Sequence, residues 1–167
     1  QVRSFSRGEY PELEKLGVEV QQGDLCDRHA VTRACENIDC VFHTAALPGI
    51  GGPWQLFRDT NYLGTQNVLA GCRTHHIARL VYTSSPSTTF AGVDQCGIDE
   101  SAPFDLAWLE QHDCHYSRSK ALAELEVLKA NNQGNLRTCA LRPHLIWGPR
   151  DGQLIPRLIA RAKLGRL

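Results

Sequence analysis

The sequence predicts an α/β fold in which a parallel sheet is covered by helices on both faces. Short apolar, β-branched runs alternate with segments of helical periodicity along the whole 167-residue chain. Its length and a hydrophobic content of 42% fit one domain with a sizeable core. Strands that alternate with helices at this spacing form parallel sheets. The periodicity would also suit a flavodoxin-like or receiver domain, so the chemistry of individual residues has to decide.

Two strand–helix units are predicted in the first part of the chain. Pro11 suits the first turn of a helix, and Gly17 suits the position just after its end. Asp27 can accept hydrogen bonds from the free N–H groups that begin the next helix. The predicted elements are a strand over residues 2–6, a helix over 11–16, a strand over 18–20 and a helix over 27–35.

The middle of the chain repeats the pattern with a longer helix. A buried strand is predicted over residues 38–43, followed by a glycine-rich connection over 48–53. A long helix that contains Asn61 comes next, and residues 79–84 form a further strand.

The last third of the chain contains the strongest helix. Residues 86–115 are predicted to be mostly loop, and the helix over 116–130 is followed by Gly134. A last strand over 136–141 and a terminal helix over 153–164 complete the alternation.

Composition excludes several classes of function. Lys plus Arg and Asp plus Glu both number 18, and this balance argues against a nucleic-acid or membrane-surface patch. No apolar run approaches the roughly eighteen residues of a membrane span. The cysteine count of seven is odd, and the chain is no small loop-rich scaffold. We therefore expect reduced thiols and a cytoplasmic protein.

One short run could be taken for metal ligands. It consists of His112, Asp113, Cys114 and His115. A structural zinc site needs a second, separated pair of ligands, and this sequence has none at a suitable spacing. No metal is therefore predicted.

Tyr116 and Lys120 are the central chemical signal. They lie four residues apart at the start of a predicted helix, so both side chains project from one face. A tyrosine with its ordinary pKa of about 10 is a poor acid–base group at neutral pH, and a nearby lysine cation lowers that pKa. The ammonium can also donate to ribose hydroxyls. The spacing alone also occurs on solvated helix faces, so the surrounding residues matter.

Two further polar residues strengthen this interpretation. Ser85 lies at the carboxyl end of a predicted strand, the edge where doubly wound sheets bind ligands. A serine there can hydrogen-bond a carbonyl oxygen as charge develops, although serines also cap turns; we prefer it to Ser84. Asn61 lies inside a predicted helix, where asparagine is disfavoured, which suggests a functional role. The alternative interpretation is that Asn61 is an exposed surface residue.

The motifs, taken together and in order, resemble the extended short-chain dehydrogenase/reductases. These include the 3β-hydroxysteroid dehydrogenase/isomerase branch and the sugar-nucleotide epimerases and dehydratases. Residues 84–87 and 142–149 look most like the bacterial 2-alkyl-3-oxoalkanoate reductases of olefin biosynthesis. The motifs are Gly23-Asp24-Leu25-x-Asp27, Val41-Phe42-His43-Thr44-Ala45-Ala46, Asn61-x-x-Gly64-Thr65-x-Asn67, Tyr82-Thr83-Ser84-Ser85, Tyr116-x-x-x-Lys120 and Leu141-Arg142-Pro143-x-x-Ile146-x-Gly148-Pro149.

The resemblance implies a Rossmann-type doubly wound sheet and a role for each catalytic candidate. It makes Tyr116 the acid–base residue and Lys120 its ribose-binding partner. It makes Ser85 the hydroxyl that orients the carbonyl, and Asn61 a support for the proton relay. Residues 1–167 would be the nucleotide-binding domain, with the substrate region beginning near 145–167.

The resemblance also implies which residues contact the cofactor. Asp24 and Leu25 would contact the adenine. Ala45 and Ala46 would let the cofactor pass close to the backbone, and Pro143 would line the nicotinamide side.

Arg7 favours NADP(H) over NAD(H). NAD-specific enzymes of this fold place an acidic residue at the end of the second strand, where this chain has Ser6. The neighbouring Arg7 can offer paired donors to a 2′-phosphate. The alternative interpretation is that Arg7 is a solvated loop residue near Glu9, and NAD(H) is then the other candidate cofactor.

A phosphate-binding glycine turn is not found. The sequence has no G-x-x-G-x-x-G, and the glycines at 49–52 follow a later strand. In a 3-2-1-4-5-6 sheet the missing first strand is central. We therefore expect the chain to be a fragment whose sheet lacks that strand.

Three functions remain open. The first is an oxidoreductase that transfers hydride between NADP(H) and a hydrophobic ketone or secondary alcohol, such as a β-keto acid or a sterol. The second is a nucleotide-sugar epimerase or dehydratase with tightly bound NAD. The third is a non-catalytic NADP-sensing regulator. By resemblance, a homodimer packs through the helices that contain Asn61 and Tyr116, and a small hydrophobic substrate is the other partner.

Overall fold

A computed structural model of the chain describes residues 1–49, 51–149, 151 and 154–166. Three predicted segments fall partly outside these ranges: the glycine-rich connection, the terminal helix, and the substrate region near 145–167, which includes residues 150, 152, 153 and 167. Ile50 belongs to the glycine-rich connection, and Gln153 is the predicted first residue of the terminal helix.

The predicted strands all form, each with bounds shifted by at most two residues. Within the described ranges they pair in parallel in two groups, β1 with β2 and then β3–β4–β5 in that order. Parallel pairing follows from the helical crossovers between successive strands. The strands are β1 (Arg3–Ser6), β2 (Glu19–Gln22), β3 (Cys40–His43), β4 (Arg79–Thr83) and β5 (Arg137–Leu141).

The helices agree with the predicted alternation and add detail to it. They are α1 (Pro11–Lys15), α2 (Arg28–Ala34), α3 (Trp54–Phe57), α4 (Gly64–Thr74), α5 (Leu106–Gln111), α6 (His115–Lys129) and α7 (Leu154–Lys163). The predicted long helix consists of α3, a π-helical turn over Arg58–Leu63, and α4. No helix in the described ranges has both the length and the apolarity to cross a bilayer.

The region predicted to be mostly loop has two ordered turns. Pro86–Thr89 forms a 3-10 turn, and α5 follows further along the chain. The carboxylate of Asp105 accepts the Trp108 N–H at 2.9 Å and so caps α5. Asp27 caps α2 as expected, accepting from His29 and Ala30 at 2.9 and 3.0 Å.

A cavity of about 740 Å³ separates the two groups of strands. Its lining includes Val2 and Phe5 from the β1 side and Val41 and Phe42 from β3. The separation lies where the resemblance places a central strand, between β1 and β3.

One face of the β3–β5 sheet packs against helices and holds the core. The buried cluster joins α2, α4 and α6 to β4, where Leu80 and Tyr82 are almost fully buried. On the opposite face Phe42 and Leu141 remain 71% and 54% exposed. The polar groups of the site therefore lie at the carboxyl ends of strands whose helix-covered face is firmly packed.

Candidate active site

Ser85 and Tyr116 meet at the carboxyl edge of β4. The strand ends at Thr83, and the Ser85 hydroxyl then accepts the Ser87 N–H at 3.3 Å, capping the 3-10 turn. Capping is therefore one of its functions. Burial raises the pKa of the half-buried Tyr116, and a hydrogen bond from the Ser85 side chain opposes that rise. The two hydroxyls therefore lie within hydrogen-bonding reach of each other.

Lys120 lies on the next turn of α6 and is almost fully buried. Its Nζ donates to the Thr83 carbonyl at 2.5 Å and lies 4.2 Å from the centre of the Tyr82 ring. Burial lowers the pKa of Lys120 to about 8, and the Glu124 carboxylate acts in the opposite direction. The ammonium is held by β4 through a carbonyl and an aromatic face.

The expected lowering of the Tyr116 pKa by Lys120 is not present in this arrangement. The pKa of Tyr116 is raised, because burial disfavours the phenolate. Since the Lys120 ammonium is directed at Thr83 and Tyr82, its charge is not applied to the Tyr116 hydroxyl. Tyr116 is therefore suited to hold its proton at neutral pH.

His43 ends β3 and belongs to the same buried region, although no role was predicted for it. The Thr65 hydroxyl donates its hydrogen to the Asn61 carbonyl at 2.6 Å, so His43 Nε2 must donate to the Thr65 oxygen at 2.9 Å. Burial, helped by the Lys120 charge, lowers the pKa of His43 to about 3. The ring is neutral and packs at 5.4 Å from the Tyr82 ring.

Asn61 lies in the π-helical turn and is buried, which contradicts its alternative as an exposed surface residue. Its side chain is bonded to Leu47, in the connection after β3, and to Ser119 on α6. Ser119 in turn donates to the Tyr116 carbonyl at 2.8 Å. The contacts place Asn61 one hydrogen bond away from the turn of α6 that holds Tyr116. Support for a proton relay stays a prediction.

Sequence reasoning did not single out Glu124. This carboxylate is buried on α6, one turn after Lys120, and is bonded to Ser84 and Arg142. The available signal was a carboxylate four residues after Lys120 on the same helix face, between the apolar Ala123 and Val127, because carboxylates are rarely buried without a partner.

The residues expected to contact the adenine begin a tight turn after β2. The Asp24 carboxylate accepts the Cys26 N–H at 2.8 Å, and the Leu25 carbonyl accepts from Asn67 at 2.8 Å. A Cβ on Gly64 would lie 2.9 Å from the Leu25 Cβ, so glycine is needed for this close approach. Leu25 is thereby held against the start of α4.

The other expected cofactor residues lie along the open edge. Ala45 is exposed and lines the cavity between the strand groups, and Ala46 is half-buried. Pro143 follows β5 and is half-buried. Arg7 is exposed after β1, and in the described part of the chain its side chain forms no ion pair with Glu9.

The run from His112 to His115 does not converge on one point. His112 stacks on Trp108 at 4.1 Å, whereas the His115 ring packs near Trp54 and Phe57. Across the described residues, His, Cys, Asp and Glu side chains form no group of three that could hold a metal. All seven cysteines are free.

The donors and small residues at this edge fit a nicotinamide dinucleotide. The Lys120 ammonium has three hydrogens, and Thr83 takes one, which leaves donors for vicinal ribose hydroxyls. Ala45 offers a short side chain, so a flat ligand can approach the backbone. The Ser85 and Tyr116 hydroxyls are placed for a carbonyl or alcohol oxygen.

The whole chain matches one family model. The model of the 3-beta hydroxysteroid dehydrogenase/isomerase family matches residues 1–167. The chain is 46% identical over 172 residues to 2-alkyl-3-oxoalkanoate reductase of Shewanella oneidensis, covering 99% of this chain and 43% of that protein. For 2-alkyl-3-oxoalkanoate reductase of Stenotrophomonas maltophilia the identity is 47% over 170 residues, covering 100% and 50%. The chain thus spans half or less of the length of these relatives.

Solved structures share the fold. The dTDP-glucose 4,6-dehydratase DesIV from Streptomyces venezuelae, with NAD bound, aligns with a TM-score of 0.80 at 21% identity, covering 99% of this chain and 53% of that one. WbmG from Bordetella bronchiseptica, in complex with NAD, aligns with a TM-score of 0.79 at 20% identity, covering 99% of this chain and 52% of that one. These likenesses confirm the predicted fold class.

Proposed function

Because the chain belongs to the 3-beta hydroxysteroid dehydrogenase/isomerase family, we propose that it supplies the catalytic residues of an NADP(H)-dependent oxidoreductase. The reaction interconverts a hydrophobic ketone and a secondary alcohol. The observation that supports it most is the convergence of Ser85, Tyr116 and Lys120 at one edge of the sheet. Each is of the type that carbonyl reduction requires.

The proposed substrate is a β-keto acid with alkyl substituents. The identity of 46–47% to two 2-alkyl-3-oxoalkanoate reductases supports this class. The human sterol-4-alpha-carboxylate 3-dehydrogenase, decarboxylating, is 39% identical over 146 residues, covering 87% of this chain and 38% of that protein. The two enzyme names that these three relatives carry describe a carboxylate close to the reacting position, which makes a bulky apolar β-keto or β-hydroxy acid the shared chemistry.

When bound, the nicotinamide would supply a hydride for the carbonyl carbon in the reducing direction. The Tyr116 hydroxyl gives its proton to the carbonyl oxygen, and Ser85 donates a hydrogen bond to that oxygen as negative charge develops. The raised pKa of Tyr116 keeps the proton available at neutral pH. Lys120 would hold the ribose through the ammonium hydrogens that the Thr83 carbonyl leaves free.

The cofactor preference rests on Arg7. Its exposed side chain after β1 is free of an ion pair with Glu9 in the described residues, so it can meet a 2′-phosphate. NAD in the DesIV and WbmG structures supports the dinucleotide but not the extra phosphate. NADP(H) is therefore the preferred cofactor of this proposal, with NAD(H) as its competitor.

We also propose a homodimer through the helices that contain Asn61 and Tyr116. Leu56 on α3 is 54% exposed, and Leu125 and Leu128 on α6 are 38% and 44% exposed. A shared apolar surface on adjacent helices would be buried by a second copy. The free thiols of all seven cysteines support a reducing, cytoplasmic setting.

Cofactor turnover in the complete protein tests the function. The purified protein is mixed with NADPH or NADH and with a 2-alkyl-3-oxoalkanoate, a sterol ketone or a nucleotide sugar. Net oxidation of NADPH with the oxoalkanoate is expected. Isomerised or dehydrated nucleotide sugar with retained NAD and no net cofactor turnover would identify an epimerase or dehydratase instead. Tight NADPH binding without turnover of any compound would identify a regulator.

A further inference from the structure

One buried carboxylate, that of Glu124, joins the three elements that carry the site. Glu124 is only 2% exposed. Its Oε2 accepts the Ser84 hydroxyl hydrogen at 2.5 Å. Its Oε1 accepts from Arg142 Nη2 at 2.8 Å and Nε at 3.0 Å, and Oε2 also accepts from Nε at 3.2 Å, so the ion pair uses both carboxylate oxygens.

The partners of Glu124 are the neighbours of the proposed reacting groups. Ser84 directly precedes Ser85, and Arg142 directly precedes Pro143. The ends of β4 and β5 are also joined by the Ser84 N–H, which donates to the Leu141 carbonyl at 2.6 Å. A shift of the Glu124 carboxylate would therefore move the serine and proline edges of the site together.

The charges around Glu124 are close to balance. A lone buried carboxylate is costly, and Arg142 compensates it. The Arg142 guanidinium also lies over the Phe104 ring at 5.0 Å, and its side chain is 17% exposed. If the Glu124 charge were removed, the Arg142 cation would be left in the protein interior without its partner.

Lys120 is surrounded by few other groups that could hold or change its charge. On the same helix, the negative charge of Glu124 raises the pKa of Lys120. From β4 it meets the Thr83 carbonyl and the neutral Tyr82 ring, whose pKa burial raises further. From β3 it faces His43, which is neutral. The Glu124 carboxylate is thus the negative group acting on Lys120 in the described part of the chain.

We propose that Glu124 is a positioning residue for the oxidoreductase reaction, an inference that rests on the proposed function above. Through Ser84 it fixes the placement of Ser85, and through its negative charge, balanced by Arg142, it keeps the Lys120 ammonium protonated one turn away on the same helix. Substrate and cofactor need not touch it.

This role differs in its effects from that of a purely structural ion pair. In Glu124→Gln, the amide oxygen can still accept from Ser84, but the Arg142 charge is no longer balanced. Added positive potential favours loss of the proton from Lys120, so its titration moves to lower pH by about one unit. A purely structural pair would lower the melting temperature and leave the titration in place.

The experiment combines kinetics with a titration that needs no activity. In the complete protein, the pH dependence of kcat/KM for alcohol oxidation and the 15N NMR titration of the Lys120 ammonium are measured. The variants are Glu124→Gln and Glu124→Gln/Arg142→Met, with Glu126→Gln on the same helix as the matched control. We expect the single variant to move both curves down by about one pH unit and to lower kcat/KM at least tenfold. The double variant returns both curves towards those of wild type.

Two results overturn the proposal. One is a Glu124→Gln titration of Lys120 that coincides with that of wild type and Glu126→Gln. The other is a double variant whose curves stay as far displaced as those of the single variant. If Glu124→Gln does not fold, Ser84→Ala tests the placement of Ser85: kcat/KM falls about tenfold with an unchanged Lys120 titration, and an unchanged kcat/KM overturns the proposal. An inactive wild-type protein would contradict the proposed function, while the NMR titration would still test Glu124.

Discussion

Asn61 binds both backbone polar groups of a single residue, Leu47. Its Oδ1 accepts the Leu47 N–H at 2.7 Å, and its Nδ2 donates to the Leu47 carbonyl at 3.1 Å. The second Nδ2 hydrogen goes to the Ser119 hydroxyl at 2.9 Å. Because both amide hydrogens are used, the side chain fastens the connection after β3 to α6, and it has no further hydrogen to donate to a relay.

Asn61→Ala is expected to lower the free energy of unfolding by about 2–3 kcal/mol, since it leaves the partly buried N–H and carbonyl of Leu47 without their partner and removes one hydrogen bond of the buried Ser119 hydroxyl. The KM for the cofactor should rise more than kcat falls, because Leu47 adjoins the expected cofactor contacts Ala45 and Ala46. Urea unfolding and steady-state kinetics measure both, with the exposed Asn135→Ala as the control. A fall in kcat at unchanged stability and KM would support the relay role instead.

Tyr116→Phe should lower kcat at least a hundredfold, because it removes the proton donor while keeping the ring. Binding of the cofactor should change little. Steady-state rates and cofactor affinity are compared with those of wild type and of Tyr10→Phe, a partly exposed tyrosine near α1. Turnover close to that of wild type would remove Tyr116 from its assigned role.

Arg7→Ala should reduce the preference for NADPH over NADH by about ten- to a hundredfold, the effect of losing a charge-assisted hydrogen bond to phosphate. The ratio of kcat/KM for the two cofactors is the measurement. Arg33→Ala, an exposed arginine of α2, is a better control than Arg3→Ala. Arg3 is bonded to the Ala34 and Glu36 carbonyls, so its loss would disturb β1 itself. Equal use of both cofactors by wild type would refute the proposal.

His43 makes stability depend on pH. Its pKa is about 3 in the folded chain against an ordinary 6.5, so on acidification the unfolded chain takes up a proton first. The free energy of unfolding should therefore fall by about 1.4 kcal/mol per pH unit below pH 6.5, until pH about 3. Urea unfolding from about pH 4 to about pH 7 measures this slope. His43→Gln should lose most of the contribution, whereas the exposed His29→Gln should keep the wild-type slope.

Leu128→Glu should weaken the proposed dimer at least tenfold, because it would place an unpaired charge in an apolar interface. Sedimentation velocity over a range of protein concentrations measures the dissociation constant. Leu16→Glu, on an exposed leucine beside α1, is the control. A wild-type protein that stays monomeric at micromolar concentration would contradict the dimer.

The alternation of strands and helices was predictable because it depends on local patterns and caps. Asp27 and Pro11 mark helix starts that the structure confirms. The capping signal for α5 was present too, in Asp105 followed by Leu106 and Leu109, but it lies within a long polar segment. The π-helical turn over Arg58–Leu63 has no comparable sequence signature.

The site was predictable only where spacing or strand ends reveal it. Tyr116 and Lys120 share a helix face, and Ser85 follows a strand. The contacts of Glu124 with Ser84 and Arg142 span 40 and 18 residues along the chain, and those of His43 with Thr65 span 22. Such pairs depend on which strand lies beside which helix, and no local pattern specifies them.

The π-helical turn over Arg58–Leu63 limits the insertions and deletions that this segment can tolerate. A turn with i→i+5 bonds holds an extra residue, so a one-residue deletion would restore a regular α-helix. It would also rotate α3 by about 100° relative to α4. Phe57 would then leave the His115 ring, 6.2 Å away, while Thr65 kept its bond to His43. Insertions and deletions among homologues are therefore expected in exposed connections such as residues 91–100, and to be selected against in this turn.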